Sequence, residues 1–339
     1  MTLELIDLST NENPLGPSPK VVAAIVHEAH RSHRYPDRDD TTLRSALAGH
    51  HARGLTPDHF FAASSASEVL DMITRASLAP GDEAIISSPT FPVYGHTVKN
   101  NGGVLVDAPL DPFTCAHDVT RILAAVTPRT RLLYLCNPGN PTGVLMPAAR
   151  FRRLLDGLPP LVLVVADEVY YQYVDDPAYP DTIAHVQEGR EVVIVHSFSK
   201  GYGMAGLRLG YGIARPDLVS RLGRFRLTYG LSGPTQAAGI AAVADQEHVA
   251  RTVALTAGGR QTLSEGLTRL GVRHWPSSAN FILTAPADPD RALKRLADMG
   301  IHVRPVAGPG QIRCLRISIG LPAATARVCD AFASLGVSP

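Results

Sequence analysis

Seven short apolar runs lie between residues 60 and 214, and segments of helical pattern separate them. Helical patterns begin near Ala66, Pro92, Ala148 and Pro216. The runs are FFAAS, EAIISS, GVLVDA, RLLYLCNP, LVLVVADE, VVIVHSF and RLGYGIA. Strands that are joined through helices pair in parallel, and helices then cover both faces of the sheet. The alternation therefore predicts an α/β fold, a mainly parallel seven-stranded sheet with helices on both faces.

The C-terminal third has a different pattern. Residues Pro234 to Leu270 are alanine-rich and almost free of helix breakers, which predicts one long helix. The segments HWPSSANFILTA, GIHVRPV and CLRISIG then alternate around the helical pattern DRALKRLADMG and predict a smaller α+β domain. The opening STNENPLGPSP is rich in turn formers, so we expect an arm that lies across other structure. The expected parts are an arm (1–32), a large domain (33–233) and a linking helix with the small domain (234–339).

Composition limits the partners of the chain. Its 339 residues carry a formal net charge of +1 without a block of Lys and Arg, so we do not expect nucleic-acid binding. No apolar run approaches the roughly 18 residues of a membrane helix, and the first residues lack the features of a secretory signal. The four cysteines are far apart and show no CxxC spacing, which is typical of reduced thiols in a cytoplasmic protein. His27, His30 and His33 lack an accompanying HExxH pattern, so we predict no metal site.

A lysine follows the sixth apolar run. Val192–Val195 predict a strand buried on both faces, and Ser197, Ser199 and Lys200 stand where it ends. Ligands of open α/β sheets bind beyond the carboxyl ends of the strands. Two hydroxyls, an amine and the later Arg208 would meet there and could bind an anionic cofactor. Lys200 could then form a Schiff base with an aldehyde.

Other polar residues follow neighbouring strands. Asp167 ends the run LVLVVAD, where a buried carboxylate needs a partner: a protonated pyridine nitrogen, an arginine or a helix N-terminus. Asn140 lies in the loop NPGNPTG after another strand. The Ser-Ala-Ser turn at 65–67 could hold a phosphate with its backbone N–H groups, although an ordinary serine cap has the same pattern. Phe91 follows a further strand, where its ring could cover a flat ligand or join the core.

The ordered set of motifs resembles the fold-type I pyridoxal 5'-phosphate aminotransferases of class I and II, and within them the histidinol-phosphate aminotransferase-like branch. The resemblance covers nearly the whole chain. Its motifs are NENPLGPSP, HRYPD, the turn SASE, LAPGDEAIISSPTF, NPGNPTG, DEVY, SFSKGYGMAGLRLGYGIA, SSANF and CLRISIG. Each motif is weak alone, and their order is the specific signal.

The resemblance implies three catalytic residues, Lys200, Asp167 and Tyr170. Lys200 is expected to bind the cofactor covalently and to act as general acid and base. Asp167 is expected to pair with the pyridine nitrogen and to keep it protonated. Asn140 and Tyr170 are expected to bond the 3'-oxygen, and Phe91 to stack on the ring.

The resemblance also implies how the phosphate and the substrate are held. The expected phosphate donors are Ser65, Ala66, Ser67, Ser197, Ser199 and Arg208. Tyr35 of HRYPD is expected to reach the cofactor phosphate of a neighbouring subunit, which implies a homodimer with shared active sites. Arg316 of CLRISIG is expected to bind the substrate α-carboxylate. Asn13 is expected to line the substrate entrance, and Asn140 to contact the substrate.

The implied activity is amino transfer between an amino donor and a 2-oxo acid such as 2-oxoglutarate. The donor is an L-amino acid or an amino-alcohol phosphate, with histidinol phosphate as the default, which would place the chain in amino acid biosynthesis. Aminotransferases of aromatic or cationic amino acids, a decarboxylase of a phosphorylated amino acid and an oxygen-dependent arginine oxidase are alternatives. A non-catalytic binding or regulatory module is a remoter one. No GxGxxG follows the first strand, which opposes a nucleotide-binding dehydrogenase.

The chain departs from the family pattern at two places. Its phosphate turn begins with Ser65, where relatives usually have glycine. After RFRL it has Thr228-Tyr229-Gly230, where relatives commonly have a proline before the tyrosine. The second segment faces the substrate in relatives.

Overall fold

The structure is a computed structural model and describes residues 5–335. The strands are β1 (Ile6–Leu8), β2 (Phe60–Ala63), β3 (Glu83–Ile86), β4 (Val104–Asp107), β5 (Thr130–Cys136), β6 (Leu163–Asp167), β7 (Val192–Ser197), β8 (Gly210–Ile213), β9 (Arg273–His274), β10 (Phe281–Ala285), β11 (Ile301–Ala307) and β12 (Arg313–Ser318). The α-helices are α1 (Pro19–Ala29), α2 (Thr41–His51), α3 (Ala66–Ser77), α4 (Val93–Asn100), α5 (Val119–Ala124), α6 (Ala148–Gly157), α7 (Thr182–Gln187), α8 (Pro216–Gly223), α9 (Gly233–Val243), α10 (Gln246–Arg269), α11 (Pro289–Asp298) and α12 (Pro322–Ala333).

The larger sheet has the strand order β2-β8-β7-β6-β5-β3-β4. Strands β3 to β7 pair in parallel, and β8 runs antiparallel to both of its neighbours. Each of the seven predicted runs supplies one strand, so the mainly parallel seven-stranded sheet is confirmed. Successive side chains of a strand point to opposite faces. Leu133 and Leu135 of β5 therefore enter one apolar core, while Leu132 and Tyr134 enter the core on the other face.

The smaller sheet has the strand order β1-β11-β12-β10-β9. Its last four strands are antiparallel, and β1 adds in parallel to β11. The three predicted segments supply β10, β11 and β12 around α11. Strand β1, through which the start of the chain joins this sheet, was not predicted from the sequence. The three-part division of the chain remains a prediction, and its residues 1–4 and 336–339 lie outside the described residues.

The prediction of one helix over Pro234–Leu270 is wrong. Helix α9 ends at Val243 and α10 begins at Gln246. Asp245 stands at the break with φ −110° and ψ 63°, and its carboxylate binds Nζ of Lys20 at 3.0 Å. Aspartate favours helix starts over helix interiors, so it can end one helix and begin the next without glycine or proline.

Candidate active site

A cavity of about 1080 Å³ lies between the two sheets. Cys136, Asp167 and Ser197 line it from the carboxyl ends of β5, β6 and β7. Residues 9–12 of the arm line it as well, and β11 and β12 contribute side chains from the smaller sheet. The cavity thus occupies the position that parallel α/β sheets offer to ligands.

Asp167 is buried at the base of this cavity, with 2% of its surface exposed. The hydroxyl of Tyr94 donates a hydrogen bond to its Oδ2 at 2.6 Å, and the N–H of Val169 donates to its Oδ1 at 3.3 Å. Burial raises the pKa of Asp167 to about 6, and the hydrogen bond from Tyr94 opposes that rise. Within residues 5–335 no side chain forms an ion pair with Asp167, so the carboxylate can accept a cation from the cavity side.

Lys200 faces the cavity from the turn that follows β7. Its Nζ donates to the carbonyl oxygens of Thr10 and Asn11 at 3.2 and 3.1 Å, and lies 5.8 Å from the ring centroid of Tyr170. Burial, followed by the positive charge of Arg316, lowers the pKa of Lys200 to about 8. With a pKa of about 8, roughly a tenth of this amine is neutral at pH 7, and that fraction can act as a nucleophile or a base.

A hydrogen-bond network joins both sheets and the arm around the cavity. The Tyr170 hydroxyl accepts from Nδ2 of Asn11 at 3.1 Å and from Nδ2 of Asn140 at 3.3 Å. Oδ1 of Asn140 accepts from Nη1 of Arg316 at 2.7 Å, and the carbonyl of Ser9 accepts from Nη2 at 2.7 Å. Asn11 was not predicted from the sequence as a site residue; it is buried at φ 56° and also bonds Ser318 through its side chain.

Two arginines face the cavity from the smaller sheet. Arg304 of β11 and Arg316 of β12 are paired directly across the strands, and both line the cavity. Like charges at opposed positions destabilise a sheet unless something neutralises them. Arg304 and Arg316 form no ion pair within residues 5–335, and Nε of Arg316 is buried without a hydrogen-bond partner there. The pair is therefore suited to an anionic ligand.

The phosphate turn precedes α3. Ala66 and Ser67 line the cavity at the start of this helix, where the first N–H groups have no partner within the helix. Ser65 does not line it; its Oγ instead accepts a hydrogen bond from the N–H of Glu68 at 3.3 Å. Ser65 has φ 112° and ψ 159°, a conformation that is normally confined to glycine.

Further expected cofactor contacts lie around the same cavity. Ser197, Ser199 and Arg208 line it, and Oγ of Ser197 accepts from the N–H of Ser199 at 3.1 Å. Phe91 also lines it, and its ring meets Tyr94 edge to face at 5.7 Å. The structure thus brings these side chains together with Asp167 and Lys200.

Besides Ser65, two expected site residues do not line the cavity of this chain. Asn13 does not line the cavity, which corrects the expectation that it faces the substrate. Its Nδ2 donates to the carbonyl of Gly201 at 3.2 Å and to Thr252 Oγ1 at 3.1 Å, so it anchors the arm. Tyr35 is 83% exposed and stacks on Tyr229 at 4.7 Å, outside the cavity of its own chain. Its role in a neighbouring subunit stays a prediction.

The cavity can hold pyridoxal phosphate by its donor set. A helix N-terminus, two hydroxyls and Arg208 suit a phosphate. The unpaired carboxylate of Asp167 suits a protonated ring nitrogen.

Within residues 5–335 there is no cluster of three or more His, Cys, Asp or Glu that could hold a metal ion. None of the helices in the described ranges is long and apolar enough to cross a membrane.

Comparison with known proteins agrees with this geometry. The family described as "Aminotransferase class I and II" matches residues 4–332. The chain is similar to a histidinol-phosphate aminotransferase from Moorella thermoacetica, with 37% identity over 94% of this chain and 82% of the relative. A histidinol-phosphate aminotransferase from Ruegeria pomeroyi is 40% identical over 96% of this chain and 90% of the relative. The crystal structure of histidinol-phosphate aminotransferase from Sinorhizobium meliloti in complex with pyridoxal-5'-phosphate is similar with a TM-score of 0.88 and 29% identity, over 98% of this chain and 92% of that one. The chain therefore belongs to the class I and II aminotransferases, which confirms the resemblance of its motifs.

Proposed function

We propose that this aminotransferase moves the amino group of histidinol phosphate to 2-oxoglutarate, with pyridoxal 5'-phosphate as its cofactor. The observation that carries the proposal is one cavity with a buried carboxylate at its base and unpaired cationic side chains around it. Lys200 and Arg208 lie on the side of the larger sheet, and Arg304 and Arg316 on the side of the smaller one. The relatives named histidinol-phosphate aminotransferase support the choice of donor.

The phosphate of the cofactor would bind Ala66 and Ser67 at the start of α3, together with Ser197, Ser199 and Arg208. Phe91 would lie against the ring, and Asp167 would pair with the ring nitrogen. Asn140 and Tyr170 would bond the 3'-oxygen. When bound, pyridoxal phosphate supplies an electron sink that makes the hydrogen on the substrate carbon acidic.

Lys200 would attach the cofactor and then carry the substrate proton on Nζ. The contacts with Thr10 and Asn11 hold this amine beside the cavity when it is free. Burial and Arg316 lower its pKa to about 8, so the neutral amine that accepts a proton is available near neutral pH. Tyr170 lies beneath the amine and keeps water from that side, because it is itself buried.

Arg304 and Arg316 support a substrate with two negative charges. Histidinol phosphate brings a phosphate dianion, and 2-oxoglutarate brings two carboxylates, so one pair of arginines can serve both half-reactions. A guanidinium binds phosphate and carboxylate with paired hydrogen bonds. The same cavity opposes a cationic amino acid as donor, because the five side chains Lys99, Lys200, Arg208, Arg304 and Arg316 outnumber the carboxylates of Glu12 and Asp167 in its lining.

The chain would act as a homodimer with shared active sites. The exposed stack of Tyr35 on Tyr229, with the exposed Leu227 nearby in sequence, offers apolar surface for a second copy. Mixing Lys200→Ala with Tyr35→Ala protein tests this proposal. Hybrid dimers would have one site with both native residues, so activity should return on mixing. Lack of recovery despite subunit exchange would contradict a shared site.

A panel of donors tests the reaction. Purified protein with pyridoxal phosphate and 2-oxoglutarate should form glutamate with histidinol phosphate faster than with phenylalanine, aspartate or arginine. Arg304→Ala should reduce the preference for the phosphorylated donor over histidinol. Carbon dioxide release or oxygen consumption in place of glutamate would instead support a decarboxylase or an oxidase. The four cysteines, Cys115, Cys136, Cys314 and Cys329, are free thiols, which is consistent with the cytoplasmic location that we also propose.

A further inference from the structure

The hydroxyl of Tyr94 contacts the carboxylate of Asp167 from the protein interior, and Tyr94 does not line the cavity. We propose that Tyr94 is a positioning residue that keeps Asp167 ionised and correctly oriented for the ring nitrogen of the cofactor. The inference rests on the role proposed above for Asp167. It adds a residue from α4 that reaches the reaction only through this carboxylate.

The geometry of the contact fits that role. The hydroxyl of Tyr94 lies 2.6 Å from Oδ2 of Asp167, which is the distance of a charge-assisted hydrogen bond to an ionised carboxylate. Burial, and then the charge of Asp167, raise the pKa of Tyr94 well above its usual value. The phenol therefore keeps its proton and remains a donor over the whole working pH range.

The aromatic neighbours hold Tyr94 in place. Its ring stacks on Tyr134 with centroids 4.7 Å apart and an angle of 14° between the planes. Phe91 meets the same ring edge to face, and the Tyr134 hydroxyl bonds Thr74 Oγ1 at 2.5 Å. Tyr94 is fully buried, so the stack leaves its hydroxyl little freedom to leave Asp167.

Several other titratable groups face Asp167 from the elements packed around it. They are Cys136 of β5, Glu168 beside it, Tyr170 and Tyr179 of the following loop, and Lys200 after β7. Burial raises the pKa of the thiol and of both phenols, so these three are neutral near pH 7. Of the side chains that favour the ionised form of Asp167, Tyr94 acts more strongly than Lys200.

The test measures cofactor affinity against pH in Tyr94→Phe and in the matched control Tyr134→Phe. The control removes a hydroxyl from the same stack, but that hydroxyl bonds Thr74. Apoprotein of each variant and of the wild type is titrated with pyridoxal phosphate by equilibrium dialysis between pH 6 and 9. Lys200 titrates in this range in all three proteins, so the ratio of variant to wild-type Kd isolates the effect on Asp167.

Loss of a hydrogen bond to a charged group should move the titration of Asp167 upward by about one to two pH units. The Tyr94→Phe protein should then bind the cofactor roughly three- to 25-fold more weakly at pH 6.5 and about equally at pH 9. The Tyr134→Phe ratio should not vary with pH. A ¹³C-carboxyl titration of the apoproteins, with Asp167 assigned through Asp167→Asn, should show the same upward displacement.

A Tyr94→Phe ratio that is constant with pH, or equal to that of the control, would overturn the inference. In the Asp167→Asn background, Tyr94→Phe should add no dependence on pH; an added dependence would mean that the tyrosine acts through another group. A wild-type protein that binds no pyridoxal phosphate would refute the proposed function itself. Normal wild-type binding with an unaltered variant profile would refute only the role of Tyr94.

Discussion

Replacing Ser65 by glycine should stabilise the protein. Ser65 adopts φ 112° and ψ 159°, where a side chain costs about 1–3 kcal/mol. Neighbouring backbone keeps the turn in this conformation: a Cβ on Gly210 of β8 would lie 2.3 Å from the backbone N of Ala66. The turn is thus packed directly against β8, and the strain at Ser65 cannot relax by moving the backbone.

Two effects oppose the gain from glycine. The Ser65 side chain caps α3 through the N–H of Glu68, and replacing a serine cap by glycine costs a few tenths of a kcal/mol. Glycine also loses about 0.5–1 kcal/mol of additional backbone entropy on folding. With strain relief of about 2 kcal/mol, the net gain in the free energy of unfolding is about 1 kcal/mol. Ser65→Ala keeps the Cβ and loses the cap, so it should cost about 1 kcal/mol.

The assay is urea denaturation of the three apoproteins, followed by circular dichroism. Apoprotein is required because bound cofactor would shift the midpoint by its own affinity. The expected order of stability is glycine, then the wild-type serine, then alanine. A glycine variant less stable than the wild type, or an alanine variant equal to the glycine variant, would refute the strain argument.

Four further outcomes are expected. Lys200→Ala should abolish amino transfer while the apoprotein still binds pyridoxal phosphate through the donors at α3, as absorbance titration can show; retained turnover would exclude the lysine mechanism. Arg316→Ala should raise the KM of donor and acceptor about tenfold or more, with a smaller effect on kcat, because a hydrogen bond between charged groups is lost. An unchanged KM would show that Arg316 does not bind the substrate. Gly210→Ala should lower the free energy of unfolding by about 1–3 kcal/mol in the urea assay, since the added Cβ would meet the backbone of Ala66. An unchanged free energy of unfolding would contradict that close packing. Burial raises the pKa of Glu168 to about 8 from an ordinary value of 4.5, so the folded state holds this proton between those pH values. The free energy of unfolding of the wild type therefore falls as the pH rises from 4.5 to 8. Glu168→Gln should gain stability relative to the wild type between pH 5 and pH 8, and a difference in free energy of unfolding that is constant with pH would contradict the raised pKa.

The fold and much of the site could be predicted because both depend on local pattern. Buried parallel strands require continuous apolar runs, and the polar residues that end them share one edge of the sheet. Asp167 and Lys200 end two such runs. The break between α9 and α10 at Asp245 could not be predicted, because no glycine or proline lies beside it. Asp245 ends α9 through its tertiary contact with Lys20.

The remaining site residues depend on register and on backbone turns that the sequence does not display. Arg304 matters because β11 and β12 pair it with Arg316. Tyr94 belongs to an ordinary helical pattern, and only the packing of α4 against α3 and β4 places its hydroxyl at Asp167, at the end of β6. In the arm, Asn11 faces the site and Asn13 anchors the chain. Asparagine tolerates a positive φ, but the motif NENP does not show which of its two asparagines adopts one.

Reduction of the holoenzyme with borohydride, followed by peptide mapping, shows which lysine carries the cofactor. The chain has four lysines, Lys20, Lys99, Lys200 and Lys294, so the labelled peptide identifies the attachment site without ambiguity. We expect one pyridoxyl group per chain, on Lys200, and its loss when histidinol phosphate is added before reduction. A label on another lysine, or no label in a protein that transfers amino groups, would contradict the attachment of the cofactor to Lys200.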